Sequence, residues 1–163
     1  MSRGIVRHLA AIALLCSGVA FAQAQPDSLG RGTLAVMGFV DVYYAYDFGH
    51  STDDDRTPFL YQYDRHNEVD LNLGLVHVAY AKQRMRAALG LMAGTYAQAN
   101  LIAEPELLRN IYEARVGLKL SKRKDLWLDA GVFPSHIGLE SAIGIDNWTL
   151  TRSVIAENSP YYL

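Results

Sequence analysis

Cysteine and long apolar segments are scarce in this sequence of 163 residues. The one cysteine, Cys16, lies in a segment that we expect to be removed, so the mature chain can form neither a disulfide nor a thiolate-bound metal site. After residue 24, no apolar run approaches the roughly 20 residues that a membrane-spanning helix needs. An excess of basic residues is also absent. The chain has 15 Lys and Arg against 17 Asp and Glu, which gives no electrostatic footprint for nucleic acid.

The first 24 residues have the three parts of a secretory signal peptide. Arg3 and Arg7 supply a positive start, residues 9–21 form a short apolar core, and an Ala-Gln-Ala sequence at 22–24 offers a cleavage site. We therefore predict a signal peptide over 1–24 and an exported chain over 25–163. Because Arg3 and Arg7 leave with the signal, the exported chain keeps 13 basic and 17 acidic side chains. A buried N-terminal helix is the other interpretation of this segment.

Beyond residue 32 the sequence alternates with a period of two, which is the pattern of β-strands. In the clearest case one face carries Glu113, Arg115 and Lys119, and the other face is apolar. Five strands are predicted, over residues 34–48, 68–81, 85–97, 111–121 and 126–133. In the second strand the apolar face changes sides, and a bulge at Gly74 would explain this. The Ala- and Gly-rich third strand has no assignable outward face.

The connections between the predicted strands alternate in length. Long loops follow the first and third strands, and short basic turns follow the second and fourth. Outer-membrane β-barrels have long extracellular loops and short periplasmic turns. Tyrosines near strand ends, among them Tyr44, Tyr80 and Tyr96, suit the aromatic girdles of such a barrel. We predict an all-β, antiparallel transmembrane β-barrel. A secreted soluble β-sandwich that binds a ligand is the alternative.

Several later segments resemble one family of outer-membrane proteins. The stretches at 110–114, 126–138, 140–141, 146–153 and 156–162 are similar to OmpL-like β-barrel porins, and the second of them reads LWLDAGVFPSHIG. The resemblance extends over most of the chain from Gly38 onward. It implies a barrel in the outer membrane of a Gram-negative bacterium, a pore, and no enzyme chemistry. Because barrels of this kind have about eight strands or more, we expect these five strands to be the N-terminal fragment of a longer chain.

Charged residues on the mixed faces of the strands are the candidate lining of the pore. They are Asp41, Asp70, Glu113, Arg115, Lys119 and Asp129. Strong ion selectivity would need rings of one sign of charge, and both signs are present here. We therefore predict a water-filled lumen without a strong ion preference. The alternative is that these residues face water and have no role in selectivity.

A long irregular stretch over 134–160 follows the last predicted strand, with helix signals over 150–157 and Thr149 or Thr151 as cap. Its length and mixed charge favour a segment that folds into the barrel as a constriction. The candidate residues are His136, Glu140, Asp146, Trp148, Arg152 and Glu157. An extracellular loop lying on the rim is the alternative.

No residue pattern points to a catalytic, metal or cofactor site. The acidic run at 53–55 lacks the Gly and Glu of a calcium loop, the histidines lack the spacing of zinc ligands, and the Ser135-His136 pair lacks a nucleophile elbow. We expect a porin for passive diffusion of small solutes or ions, in contact with outer-membrane lipid and without enzyme activity, cofactor or nucleic-acid partner. A non-conducting barrel for adhesion or anchoring is a second alternative. A homo-oligomer is left open.

Overall fold

The computed structural model describes residues 11–22, 32–48, 60–134 and 138–158, the first range as backbone only. Within these ranges the chain forms one antiparallel sheet, in which six strands follow one another in chain order. The strands are β1 Ala11–Ala22, β2 Thr33–Asp47, β3 Val69–Lys82, β4 Met85–Ala93, β5 Ile111–Lys119 and β6 Trp127–Val132. The helical elements are α1 Thr95–Asn100, α2 Val154–Glu157 and two 3₁₀ turns at Leu108–Asn110 and Gly144–Asp146. None of the helices in the described ranges is long and apolar enough to cross a membrane.

The five predicted strands are found as β2 to β6, and the prediction of an antiparallel all-β fold is confirmed. The predicted short-helical segment near the C-terminus is also present, as α2. Its cap is Ser153, whose hydroxyl accepts from the backbone N–H of Ala156, and not Thr149 or Thr151. Strand β1 coincides with the apolar core of the predicted signal peptide and pairs with β2 along its whole length. That pairing does not test cleavage, so the signal peptide over 1–24 stays a prediction.

The two faces of the sheet differ in character because side chains alternate along each strand. One face, called the outer face below, carries exposed apolar side chains such as Val40, Val76 and Leu89. The opposite, inner face carries the buried side chains of Phe39, Leu75 and Met92 together with most of the charged residues. Long connections join β2 to β3 and β4 to β5, whereas short turns join β3 to β4 and β5 to β6. The alternation in length therefore matches the prediction.

Two irregularities decide which residues reach the inner face. The first shifts the β2–β3 register between Asp41 and Val42, so that Asn72 is the extra residue of β3. This bulge moves the apolar set of β3 across the sheet, as the sequence pattern required, but it lies two residues before Gly74. The second shifts the β4–β5 register between Gly90 and Leu91, so that Tyr112 is the extra residue of β5. The ring of Tyr112 consequently packs against the inner core and does not join the apolar face of β5.

The third predicted strand is too long, because β4 ends at Ala93 and α1 begins at Thr95. Gly94 makes this change of direction with φ at 129°, a conformation that favours glycine. A Cβ on Gly94 would lie 2.4 Å from the carbonyl oxygen of Asn72. Tyr96, expected in an interfacial girdle, is instead fully buried in the core.

A second layer covers part of the inner face. Its parts are residues 60–68, helix α1 and the segment over 138–158, called the inner segment below. The core cluster combines sheet residues with residues from this layer: Phe39, Leu73, Leu75, Met92, Tyr96, Ala97, Leu101, Ala142 and Ile143. The inner segment therefore lies against the charged side of the sheet and not on its apolar outer face.

Candidate functional site

A ladder of charged side chains crosses the inner face from β3 to β6. The Nε2 atom of His77 lies 2.6 Å from a carboxylate oxygen of Glu113, and Glu113 also accepts from Arg115. Arg115 reaches Asp129 at 3.3 Å, and Asp129 forms a two-pronged ion pair with Arg86. The five groups form one connected network, which we call the charged ladder. It contains two arginines, two carboxylates and one histidine.

Glycines open the space that the ladder needs. On one rung of the sheet, Gly90 of β4 stands between His77 of β3 and Glu113 of β5. On another, Gly117 of β5 stands between Arg86 of β4 and Asp129 of β6. Each of these two contacts thus spans a strand that contributes no side chain at that rung. A Cβ on Gly117 would lie 2.2 Å from the Asp129 carboxylate, so alanine there would collide with the pair.

Trp127 extends the ladder toward the β5–β6 turn. The guanidinium carbon of Arg86 lies 4.4 Å from the centre of the Trp127 ring, and Lys119 Nζ lies 5.6 Å from it. Lys119 also pairs with Asp125 at 3.0 Å. The hydrogen bond from Lys119, assisted by one from the Trp127 indole, lowers the pKa of the Asp125 carboxyl in the turn.

Asp41 and Asp70 lie apart from the ladder, nearer the opposite end of the strands. Asp41 is buried, and one of its carboxylate oxygens accepts from the hydroxyl of Tyr63 at 3.0 Å and from the amide of Asn72 at 2.9 Å. Burial, reinforced by the charge of Asp41, raises the pKa of the Tyr63 phenol. Asp70 is half-buried and accepts from the backbone N–H of Leu71. Asp41 therefore fixes the loop over 60–68 onto the sheet.

The inner segment is held by a buried polar cluster at the same end. Arg152 donates to Glu157 at 3.0 Å, and their side chains are only 5% and 0% exposed. Glu157 also accepts from the backbone N–H of Tyr61 at 3.2 Å. The side chain of Gln62 donates to the carbonyl of Ala142 and accepts from the backbone N–H of Arg152. We call Gln62, Arg152 and Glu157 the segment clamp, because they join loop 60–68 to the inner segment.

One comparison with known proteins agrees with this structure. The structure is an antiparallel sheet with one apolar face and one charged face, and a segment lies over the charged face. The family model described as "putative beta-barrel porin-2, OmpL-like" matches residues 33–163. The chain belongs to this family. No protein of curated function and no solved structure shows a significant match. Membership of this porin family indicates an outer-membrane β-barrel.

Within this porin-family fold, the remaining candidate constriction residues have unlike surroundings. Both carboxylate oxygens of Glu140 accept from Ser153, from its backbone N–H at 3.0 Å and its hydroxyl at 2.6 Å. Asp146 ends a 3₁₀ turn and is exposed, and Trp148 is fully exposed. His136 lies outside the described residues. Among those residues, no three His, Cys, Asp or Glu side chains are grouped as a metal site would require.

His77 and Arg86 were not predicted as site residues from the sequence, although both belong to the charged ladder. His77 was hidden by the bulge of β3, which reverses the face assignment along the second half of that strand. Arg86 lies on β4, where alanine and glycine give no contrast between the faces. The spacing of Arg86, Ala88 and Gly90 along one face of β4 is the signal that could have found it.

Ser153→Ala should raise the pKa of the Glu140 carboxyl back toward its ordinary value. That pKa is lowered, chiefly by the hydrogen bond from the Ser153 side chain and then by the one from its backbone N–H. Since the bonded form is the carboxylate, this contact stabilises the segment fully above the ordinary carboxyl pKa and is lost as the pH falls through the lowered value. A carboxyl ¹³C titration by NMR measures both values. Thr149→Ala is the control, because the Thr149 hydroxyl lies in the same segment and donates to the Thr151 carbonyl; an equal shift there would contradict the assignment.

Proposed function

We propose that this chain forms part of an outer-membrane porin that lets small solutes or ions diffuse passively through a water-filled lumen, with no catalytic step. Lipid would contact the outer face, and the predicted signal peptide would direct the export. The observation that carries the proposal is the charged ladder on the face opposite an exposed apolar face. A barrel wall with lipid on one side and water on the other has this alternation.

The energetics of the two faces support this orientation. On the outer face Val116 is 64% exposed and Leu128 is 60% exposed. Contact of such side chains with lipid is favourable, whereas their exposure to water is not. The ladder groups would be costly in hydrocarbon, where an ionised side chain lacks hydration. On the inner face the charges keep water in the lumen and bind one another.

The balance of charge supports a pore without strong ion selectivity. Arg86 and Arg115 face Glu113 and Asp129 within one network, so the fixed charges largely compensate each other. Strong selectivity would need an uncompensated ring of one sign. Solutes would therefore be selected mainly by size.

The inner segment is proposed as the constriction of this pore. Its residues Ala142 and Ile143 belong to the same core cluster as Phe39 and Leu73 of the inner face. Asp146 and Trp148 of the segment are exposed, and in this proposal they would face the solute path. A segment held on the lumen side narrows the passage without changing the number of strands.

The same packing favours a second candidate, a barrel closed by its own interior. The inner segment, α1 and loop 60–68 fill part of the inner side with apolar residues, including Tyr96 and Leu101. If this filling extends across the lumen, the protein is a non-conducting barrel for adhesion or anchoring. Conductance separates the two candidates.

Single-channel recording of the native protein in a planar bilayer is expected to show conductance with a reversal potential near zero in a KCl gradient. The Glu113→Gln/Asp129→Asn variant keeps the ladder arginines and loses both acids, so its reversal potential should shift toward chloride preference. Glu104→Gln/Glu106→Gln removes two acids of the β4–β5 connection and should leave the reversal potential unchanged. Absence of conductance in the native protein would favour the closed barrel, and equal shifts in both variants would contradict a selectivity role for the ladder.

A further inference from the structure

The outer face has a groove between its larger apolar side chains. Three alanines on neighbouring strands form its floor, Ala87 of β4, Ala114 of β5 and Ala130 of β6. The walls are formed by the larger side chains of Tyr80, Leu89 and Val116. The groove has a volume of about 430 Å³ and is mostly apolar. Its shape suits a narrow, flexible apolar chain.

The groove lies close to the end of the sheet that carries the two short turns. Tyr80 and Ala87 face each other on one rung, and β3 ends at the β3–β4 turn two residues further along, at Lys82. At about 3.3 Å of rise per residue, the groove begins about 7 Å from that turn. Tyr80 lies at this end of the groove. Tyrosine is enriched at membrane interfaces because its ring is apolar and its hydroxyl is polar.

The two short turns form one basic edge. Its five exposed basic residues are Lys82, Arg84, Lys122, Arg123 and Lys124. The turns lie side by side, because the backbone N–H of Lys119 donates to the carbonyl of Arg84 and the Arg84 side chain donates to the carbonyl of Lys119. The Ser121 hydroxyl accepts from two backbone N–H groups of the second turn and fixes its shape. The acid of this edge, Asp125, is bound to Lys119.

The opposite end of the described sheet has no such excess of basic charge. The long connections there mix Arg65 and Arg109 with acids such as Glu68, Glu104 and Glu106. Arg65 lies 3.8 Å from Glu68, and Arg109 donates to two backbone carbonyls of its own loop. Among the described residues, the short-turn end is therefore the end at which basic residues lie beside an apolar groove.

We propose that the groove and the basic edge together bind an anionic phospholipid of the membrane leaflet at the short-turn end. One acyl chain would lie on the alanine floor, and the phosphate would lie among the lysines and arginines of the two turns. The proposal rests on the porin function proposed above, because it needs the outer face in lipid and the short turns at the interface. Lysines and arginines placed just outside the hydrocarbon attract anionic headgroups.

Native mass spectrometry of the full protein, titrated with dioleoyl phosphatidylglycerol or dioleoyl phosphatidylcholine, tests the proposal. Because the acyl chains are identical, a difference in retention reports the headgroup. We expect a preference for phosphatidylglycerol of roughly tenfold, which K122Q/K124Q largely removes. The matched control R65Q/R109Q removes two arginines at the other end and should keep the preference.

A second pair of variants tests the groove. A114F fills the floor and should weaken retention of both lipids to the same extent, whereas V40F, on the outer face away from the groove, should change neither. Equal retention of both lipids by the native protein, or equal losses in the two charge variants, would overturn the proposal. If A114F dissociates an oligomer without altering lipid retention, the groove is a contact between copies of the chain and the proposal is also overturned.

Conductance in the same preparations separates this proposal from the porin function. A conducting protein without lipid preference would overturn the lipid site alone. A protein that prefers phosphatidylglycerol but does not conduct would keep the lipid site and remove the pore.

Discussion

Glu157→Gln is expected to destabilise the attachment of the inner segment by about 3–5 kcal/mol, the cost of removing one partner from a buried ion pair. Glutamine keeps the size of Glu157 and leaves the charge of Arg152 without its carboxylate in a site where both side chains are buried. The backbone N–H of Tyr61 also loses a charged acceptor. The loss falls on the segment clamp and not on the strand pairing, so the sheet should persist.

Hydrogen exchange measured by mass spectrometry is the appropriate readout. Peptides covering 138–158 and 60–68 should lose protection, and peptides from β3 to β6 should keep theirs. Glu140→Gln is the matched control, since Glu140 makes two hydrogen bonds in the same segment but is much less buried; it should change protection little. Arg152→Met/Glu157→Leu removes both charges and should recover much of the protection, as apolar replacements of buried pairs often do. Loss of protection in Glu140→Gln equal to that in Glu157→Gln would contradict the clamp.

Gly131→Ala should break the pairing of β5 with β6. Gly131 has φ at 136°, and a Cβ there would lie 2.1 Å from the carbonyl oxygen of Ala114 and 2.8 Å from the Cα atom of Arg115. The backbone strain alone costs about 1–3 kcal/mol. The clash is with backbone atoms of the neighbouring strand, which cannot rotate away, so the strands must separate and the ladder must lose its contact between Arg115 and Asp129.

Urea unfolding followed by tryptophan fluorescence measures this effect. A Trp148→Phe background leaves Trp127, which lies on β6 and reports directly on that strand. Gly138→Ala is the control, because Gly138 also has a positive φ of 90° but, among the described residues other than its chain neighbours, no atom lies within 4 Å of the position that an added methyl group would take. Gly138→Ala should therefore lose only the stability that the backbone strain costs, and Gly131→Ala should lose more. If both variants lose the same stability, the close approach at Gly131 has no energetic weight.

Alternation was enough to predict the strands where the two faces differ strongly. On β5, the charged set of Glu113, Arg115 and Lys119 and the apolar set of Val116 and Leu118 separate cleanly, and the structure has this division. On β3 the pattern indicated that a bulge was needed, but the predicted position, Gly74, is two residues away from the observed one, Asn72. A shift at Asn72 and a shift at Gly74 differ only by which side chains find partners, and Asn72 is held by Asp41, a residue 31 positions earlier.

The boundary of β4 could not be found in the same way. Alanine and glycine suit a strand or a close-packed turn equally, and Tyr96 looked like an interfacial residue at a strand end. Tertiary contacts decide its position: Tyr96 enters the core, and the Arg152 guanidinium lies 5.3 Å from its ring centre. Arg152 is 56 residues away along the chain, so no local pattern contains this contact.

In the candidate site, too, local groupings could be predicted from the sequence and long-range contacts could not. Residues that share a strand face, such as Glu113 and Arg115, were grouped from spacing alone. The bonds that join Glu157 to Tyr61 and Arg152 to Gln62 span 96 and 90 residues, and nothing in the sequence links these positions. The connections of the clamp therefore depend on how the inner segment returns across the sheet.

The side-chain gaps at Gly90 and Gly117 also specify how the strands are aligned. If β4 slid by two residues along β5, Ala88 or Met92 would replace Gly90 opposite Glu113, and a side chain would stand between that carboxylate and His77. A two-residue slip keeps every apolar residue on its own face, so the hydrophobic pattern alone does not oppose it. The contacts of His77 with Glu113 and of Arg86 with Asp129 do oppose it, because each needs a glycine between the partners and the slip moves that alignment away. These contacts therefore favour the observed alignment of the strands over the slipped one, whatever the function of the inner face.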